Sequence, residues 1–184
     1  MYLPEFGDRV RASAPSAIAK LRALGIHTVM LTGDGRGAAQ AAAAELGLDD
    51  VRHDVLPADK AAQIAALKAQ GRTVAMVGDG INDAPALASA DVGIAMGSGT
   101  DVAMHAADIT LMRADPALVA DAIDISRRTY RKILQNLFWA FAYNVVGIPL
   151  AAFGLLSPVV AGAAMAFSSV SVVGNALLLK RWRP

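Results

Sequence analysis

The stretch VAMVGDGIND at residues 74–83 sets the reading of the whole chain. An apolar, valine-containing run breaks abruptly into glycines, two carboxylates and an amide, the way a buried strand delivers polar groups to a ligand. Gly78 and Gly80 let the backbone turn sharply and approach an anion closely. Asp79 and Asp83 bring two hard oxygen donors into one small space, a set that suits Mg²⁺ together with water and phosphate oxygens. A second run, TVMLTGDG (28–35), ends in similar chemistry, where Thr32 and the amides around Gly33 offer hydrogen bonds to a phosphoryl oxygen. Lys60 follows a proline turn near the start of a helical segment and adds a point charge beside that helix's positive end.

The segments around these loops alternate in type. Helical patterns occupy 13–25, 37–47, 57–71 and 116–132, three of them closed by glycine. Strand patterns occupy HTVML (27–31), VRHDV (51–55), RTVAMV (72–77), DVGIAM (91–96) and ITLM (109–112). Such alternation predicts an α/β fold, a Rossmann-like parallel sheet with helices on both faces. In such sheets ligands gather at the carboxyl ends of the strands.

The remainder of the chain is different. All sixteen acidic residues lie at or before Asp124, and no charged side chain occurs between Lys132 and Lys180. The segments 133–156 and 158–179 are each long enough to cross a hydrocarbon core as helices, which takes roughly 20 apolar residues. Gly154, Ser157 and Pro158 supply the turn between them. The basic clusters SRRTYRK (126–132) and KRWRP (180–184) flank the pair and place both ends in the cytoplasm, with Tyr130 and Trp182 at the interface. The division expected is 1–125 for the α/β part and 126–184 for a transmembrane hairpin with basic cytoplasmic ends. A hydrophobic fraction of 55% agrees with a membrane protein, and the absence of cysteine excludes disulfides and thiolate metal sites.

Polar residues inside the hairpin include Tyr143 and Asn144 in the first helix, and Met165, with its polarizable thioether, Ser168, Ser169 and Asn175 in the second. Met165 and Ser169 are four apart and share a helix face. A thioether beside hydroxyl and amide oxygens, without a carboxylate, suits a soft monovalent ion such as Cu(I). Small polar residues also glue helices together in bilayers, and spacing alone leaves both readings open.

The motifs MLTGD (30–34), LPADK (56–60) and MVGDGINDAPALASADVGIAMGSGTDVA (76–103) resemble the carboxyl-terminal part of P-type ATPases, whose phosphorylation domain is of the haloacid dehalogenase type. The resemblance runs from about residue 8 through nearly the whole chain. It implies that Thr32 binds the phosphoryl group with Gly33 and Asp34 in its loop, and that Lys60 stabilises the phosphate. It further implies that Asp79 is the magnesium ligand, supported by Asn82 and Asp83. NLFWAFAYNVVGIPLAA (136–152) and AGAAMAFSSVSVVGNALLL (161–179) resemble the last two helices of copper(I)-exporting heavy-metal pumps. By that resemblance Tyr143, Asn144, Met165, Ser168 and Ser169 help form the transmembrane copper site. Zinc and cadmium exporters of the family usually place charged residues in these helices, and none is present here.

The family's phosphate acceptor is an aspartate in a DKTG motif, and neither that motif nor the nucleotide-binding domain following it occurs in these 184 residues. The expectation is therefore a carboxyl-terminal fragment of a P-type Cu(I)-transporting ATPase in the cell (inner) membrane, multi-pass, inactive by itself. It would use Mg²⁺, ATP through the missing domain, and Cu⁺ as the transported ion. Its partners would be the membrane and an N-terminal half or a full-length pump; no nucleic acid is expected. The alternative is a non-catalytic membrane protein that binds copper or partners a pump. Asp49, Asp50 and Asp54 read as residues of solvated turns, and His27, His53 and His105 as structural or exposed. A sheet lacking the acceptor strand is expected to carry an open edge or a central gap.

Overall fold

The structure, a computed structural model, describes residues 11–79, 81–97, 100–155 and 157–182. The chain divides into two compact units, Met1–Ala120 and Asp121–Pro184.

In the first unit, α1 (Ala14–Ala23), β1 (Val29–Leu31), α2 (Arg36–Leu46), β2 (Asp50–Arg52), α3 (Pro57–Ala69) and β3 (Ala75–Gly78) follow the expected alternation. A 3₁₀ turn (Ile81–Asp83), α4 (Ala84–Ser89), β4 (Val92–Met96), α5 (Asp101–Ala106) and β5 (Ile109–Leu111) complete it. Every strand pairing is parallel, with Met30 beside Val51, Val77 beside Ile94 and Ala95 beside Thr110. The sheet is in two pieces, β1–β2 and β3–β4–β5, and among the described residues no strand pairing joins them.

The core lies where α3 and α4 cover β3, built from Ile64, Leu67, Val74, Met76, Ala86, Leu87 and Ala103. Leu87 and Ile94 are its largest fully buried side chains, each contributing about 2 kcal/mol by leaving water. Helix α4 escaped the sequence reading, and α5 was legible only as a helix-like segment around His105. Each has six residues, too few for hydrophobic periodicity to register. The strand expected at 51–55 stops at Arg52, so His53 follows the strand instead of lying in it, and Asp54 turns at φ +54.

Three aspartates hold the strand starts. Asp49, Asp91 and Asp108 each stand at or just before a strand, and each carboxylate accepts a backbone N–H from the neighbouring segment: Thr28, Val74 and Gly93, all at 2.8 Å. Asp49 is exposed at the bend before β2, as its sequence context implied, while Asp50, expected on a turn, opens the strand itself; Asp49 serves as a clamp besides. Its carboxylate also accepts the Thr28 hydroxyl at 2.8 Å and the Arg22 guanidinium at 2.8 Å. The Thr28 amide, then its hydroxyl, then Arg22 hold the Asp49 carboxyl well below the usual carboxylate range. A depressed folded-state pKa stabilises above the unfolded value of about 4 and loses that contribution as pH falls further. Asp49→Asn is therefore expected to lower the urea midpoint of the full chain at pH 7. It should also shrink the loss of stability between neutral and acid pH, read by circular dichroism.

In the second unit, α6 (Ala117–Ala152) and α7 (Pro158–Leu177) are separate helices, α7 ending in a 3₁₀ turn (Leu178–Arg181). The helices expected at 116–132 and 133–156 are one. No glycine or proline interrupts α6 before Gly147, so nothing ends the helix at Lys132. Gly154, at φ +70, supplies the left-handed turn after α6. The Ser157 hydroxyl caps α7 by accepting the Val160 N–H at 3.3 Å, with Pro158 first in the helix. Both helices are long and apolar enough to cross a membrane, and the apolar stretch of neither is buried within the structure. Phe138, Val145, Ile148, Phe153, Val159 and Phe167 are all exposed. A hairpin forming the core of a soluble protein would have buried them.

Candidate functional site

The carboxyl end of β3 carries the principal cluster. The chain leaves β3 at Gly78, passes Asp79 and reaches the 3₁₀ turn holding Asn82 and Asp83. Asp83 is buried, and its Oδ1 accepts Lys60 Nζ at 2.7 Å. Lys60 arrives from the first turn of α3, where Pro57 fixes the helix start. The two side chains retain only 18% and 12% exposure, which marks a largely desolvated ion pair. The sequence reading had placed Asp83 as a metal donor without foreseeing that Lys60 would meet it.

Gly78 is explained by the same carboxylate. A Cβ at that position would stand 2.7 Å from Asp83 Cβ and 3.0 Å from its Cγ, so only glycine leaves the space. Gly33 differs, since a Cβ there would meet Val55 O at an ordinary 3.6 Å. Gly78→Ala is expected to destabilise the full chain by about 2 kcal/mol through overpacking, and Gly33→Ala by far less. Thermal melts of both variants check this.

Asp79 and Asn82 are exposed, so the Asp79 carboxylate is open to a ligand. The Asp79 carbonyl accepts the Thr100 N–H at 3.1 Å, which ties the loop to the start of α5. Thr100, which the sequence reading did not single out, also caps α5 by accepting the Ala103 N–H at 3.4 Å. The signal was available as Thr-Asp ahead of a helical turn. At the carboxyl end of β1, Thr32 donates its hydroxyl to Asp34 Oδ2 at 2.8 Å and accepts the Asp34 N–H at 3.1 Å. The TGD triplet is thus a self-bonded turn, with Gly33 and Asp34 exposed. Gly80 lies outside the described residues. The loop after β3 offers hard carboxylate oxygens at Asp79 and Asp83 with a cation at Lys60, and the loop after β1 offers a hydroxyl at Thr32; among the described residues no strand pairing joins β1 to β3. That donor chemistry fits Mg²⁺ with a phosphate and fits no soft metal. Among the described residues no group of three or more histidine or acidic side chains comes together as a metal cluster.

The second unit gathers the other candidates. Tyr143 and Asn144 of α6 and Met165, Ser168 and Ser169 of α7 all line one cleft of about 470 Å³. Asn144 donates its amide nitrogen to the Ala140 carbonyl at 2.8 Å, which leaves its amide oxygen for the cleft. Asn175 separates from this group. It accepts Lys132 Nζ at 2.6 Å and donates to Asn136 at 2.8 Å, joining α6 to α7. The structure thus divides the polar residues of the hairpin into glue, at Asn175, and a lined cleft.

Comparison with known proteins agrees with both units. The family of haloacid dehalogenase-like hydrolases matches residues 2–91. A copper-exporting P-type ATPase of Staphylococcus aureus (strain JH9) is 60% identical over 96% of this chain, and the chain spans only 22% of that relative. A crystal structure of a zinc-transporting PIB-type ATPase in the E2.Pi state superposes with a TM-score of 0.85 at 42% identity, covering 94% of this chain and 28% of the other. The catalytic domain of the CPx-ATPase CopB-B superposes with a TM-score of 0.58 at 36% identity, over 64% of this chain and 47% of that domain. With parallel α/β structure followed by two long apolar helices, the chain is a homologue of the copper-exporting P-type ATPases along 96% of its own length.

Proposed function

We propose that this chain supplies the distal phosphorylation-domain loops and the last two membrane helices of an ATP-driven Cu(I) exporter. The observation that carries the copper assignment is the single cleft lined by Tyr143, Asn144, Met165, Ser168 and Ser169 in a hairpin without charged side chains between Lys132 and Lys180. One thioether, hydroxyls and an amide oxygen leave the charge of a divalent ion uncompensated, whereas they match a soft monovalent cation. Residues 1–125 and 126–184 divide the work between phosphate chemistry and ion passage.

In the α/β unit, Asp79 and Asp83 hold Mg²⁺, with Asn82 supporting them. Lys60 and Thr32 bind phosphoryl oxygens, and Asp34 orients the Thr32 hydroxyl. Gly78 and Gly80 keep the approach clear. Held by Asp79 and Asp83, Mg²⁺ would supply charge neutralisation for the phosphoryl oxygens during transfer. Lys60, paired with Asp83, is fixed in place before the phosphate arrives, so little reorganisation accompanies the reaction. ATP and the acceptor aspartate come from segments outside these 184 residues. An acceptor strand between β1 and β3 would join the two pieces of the sheet and bring its carboxylate beside both loops. Both basic ends of the hairpin face the cytoplasm and the Gly154 turn faces out.

The test is co-expression of the full chain with an amino-terminal half carrying the DKTG motif. Copper-stimulated ATP hydrolysis is expected only when both are present, and Asp79→Ala should abolish it. Absence of both activity and co-purification would remove the proposal.

A further inference from the structure

The basic residues flanking the apolar helices converge into a site of their own. A cleft of about 370 Å³ is lined by Arg128, Arg131 and Lys132 of α6 and by Leu178, Leu179 and Trp182 beyond α7. The three cations stand at i, i+3 and i+4, hence on one helix face. Asp124 Oδ2 accepts Arg128 Nε at 2.7 Å and Trp182 Nε1 at 2.8 Å, so one carboxylate neutralises one cation and fixes the indole against the cleft. Lys132 Nζ is oriented by a neutral acceptor, Asn175 Oδ1, and keeps its full charge. Arg131 is exposed and, among the described residues, meets Asp124 through its charge without a hydrogen bond. Three cations against the single Asp124 carboxylate leave an excess of two positive charges over an apolar floor.

We propose that this cleft binds the headgroup phosphate of an anionic phospholipid, with Arg131 and Lys132 as its ligands. The proposal rests on the reading of α6 and α7 as bilayer spans. A phosphate diester with acyl chains suits the cleft better than a free anion. The Leu178–Leu179–Trp182 side accepts the apolar glycerol and upper chain, while the exposed apolar surface of α7 continues along the chain's path. Basic pockets between membrane helices near the cytoplasmic surface hold anionic headgroups by this division of labour. Binding there would bridge the base of α6 to the end of α7, reinforcing the join that Lys132, Asn136 and Asn175 make.

The experiment reconstitutes the full chain in phosphatidylcholine bilayers containing brominated lipid and reads tryptophan quenching. Trp139 and Trp182 are the two tryptophans, so Trp139→Phe leaves Trp182 as reporter of the cleft and Trp182→Phe leaves Trp139 as reporter of insertion. Brominated phosphatidylglycerol is expected to quench Trp182 with a higher affinity than brominated phosphatidylcholine at equal mole fraction. The preference should reach about fivefold per excess charge. Arg131→Gln should remove part of that preference, and Arg131→Gln with Lys132→Gln should abolish it, while both lipids quench Trp139 equally throughout. Equal quenching of Trp182 by the two lipids in the unsubstituted cleft would overturn the lipid site and leave the membrane reading intact. Absence of Trp139 quenching would overturn both. Relief of Trp182 quenching by millimolar inorganic phosphate would assign the cleft to a soluble anion and overturn the lipid assignment.

Discussion

Replacing Lys60 with methionine is expected to destabilise the full chain by about 3 kcal/mol, the loss usual when one member of a desolvated ion pair is removed. The reason is geometric. Asp83 is buried at the start of α4, its carboxylate sits against Gly78, and Lys60 Nζ lies 2.7 Å from its Oδ1. Methionine keeps the apolar stem and discards the charge, so packing changes little while the carboxylate loses its cation. Urea unfolding in mild detergent, followed by far-ultraviolet circular dichroism, provides the measurement. Asp83→Asn in the Lys60→Met background should recover part of the loss, because the charge without a counterion is then gone. Coupling between the two substitutions separates the pair from the individual residues. A loss below about 0.5 kcal/mol would place the pair with ordinary surface salt bridges and sink this account.

Met165→Leu is expected to weaken Cu(I) binding by at least about tenfold, the loss seen on disturbing even an outer partner of a metal ligand. Leucine nearly preserves volume, and Met165 is 73% exposed in the structure, so the substitution removes the sulfur without opening a cavity. The measurement is competition of the full chain in detergent against a chromogenic Cu(I) chelator. Met112→Leu is the control. That thioether is exposed but belongs to the α/β unit and does not line the cleft, so its loss should leave affinity unchanged. Equal affinity in Met165→Leu and the unsubstituted chain would exclude the thioether as a ligand.

The phosphate loops were legible because their chemistry is local. Glycines beside carboxylates at the end of an apolar run mean a polar turn wherever the strand is placed. What stayed hidden was long-range. Lys60 and Asp83 are separated by 22 intervening residues, and nothing in either neighbourhood announces that α3 delivers one onto the other. Of the aspartates before β2, β4 and β5, Asp91 and Asp108 stand directly ahead of a β-branched residue, and Asp49 stands ahead of Asp50. Their partners, the N–H groups of Thr28, Val74 and Gly93, follow only from strand pairing. The clamp at Asp49 stayed hidden for that reason: an exposed carboxylate near a turn has no sequence mark that announces its backbone partner.

In the hairpin, composition by itself determined two apolar helices and the turn between them, since the absence of charge over that length admits few folded alternatives in water. It also supplied the five side chains suited to a soft ion. Only the tertiary structure separated Asn175 from Tyr143, Asn144, Met165, Ser168 and Ser169, because whether an amide bridges two helices or faces a cleft depends on how the helices are rotated. Helix period fixes which residues share a face, while packing between the helices fixes where that face points. The same division holds for the basic flanks. Their charge was plain in the sequence, but the cleft they form with Leu178, Leu179 and Trp182 exists because the chain reverses at Gly154 and brings two distant ends together.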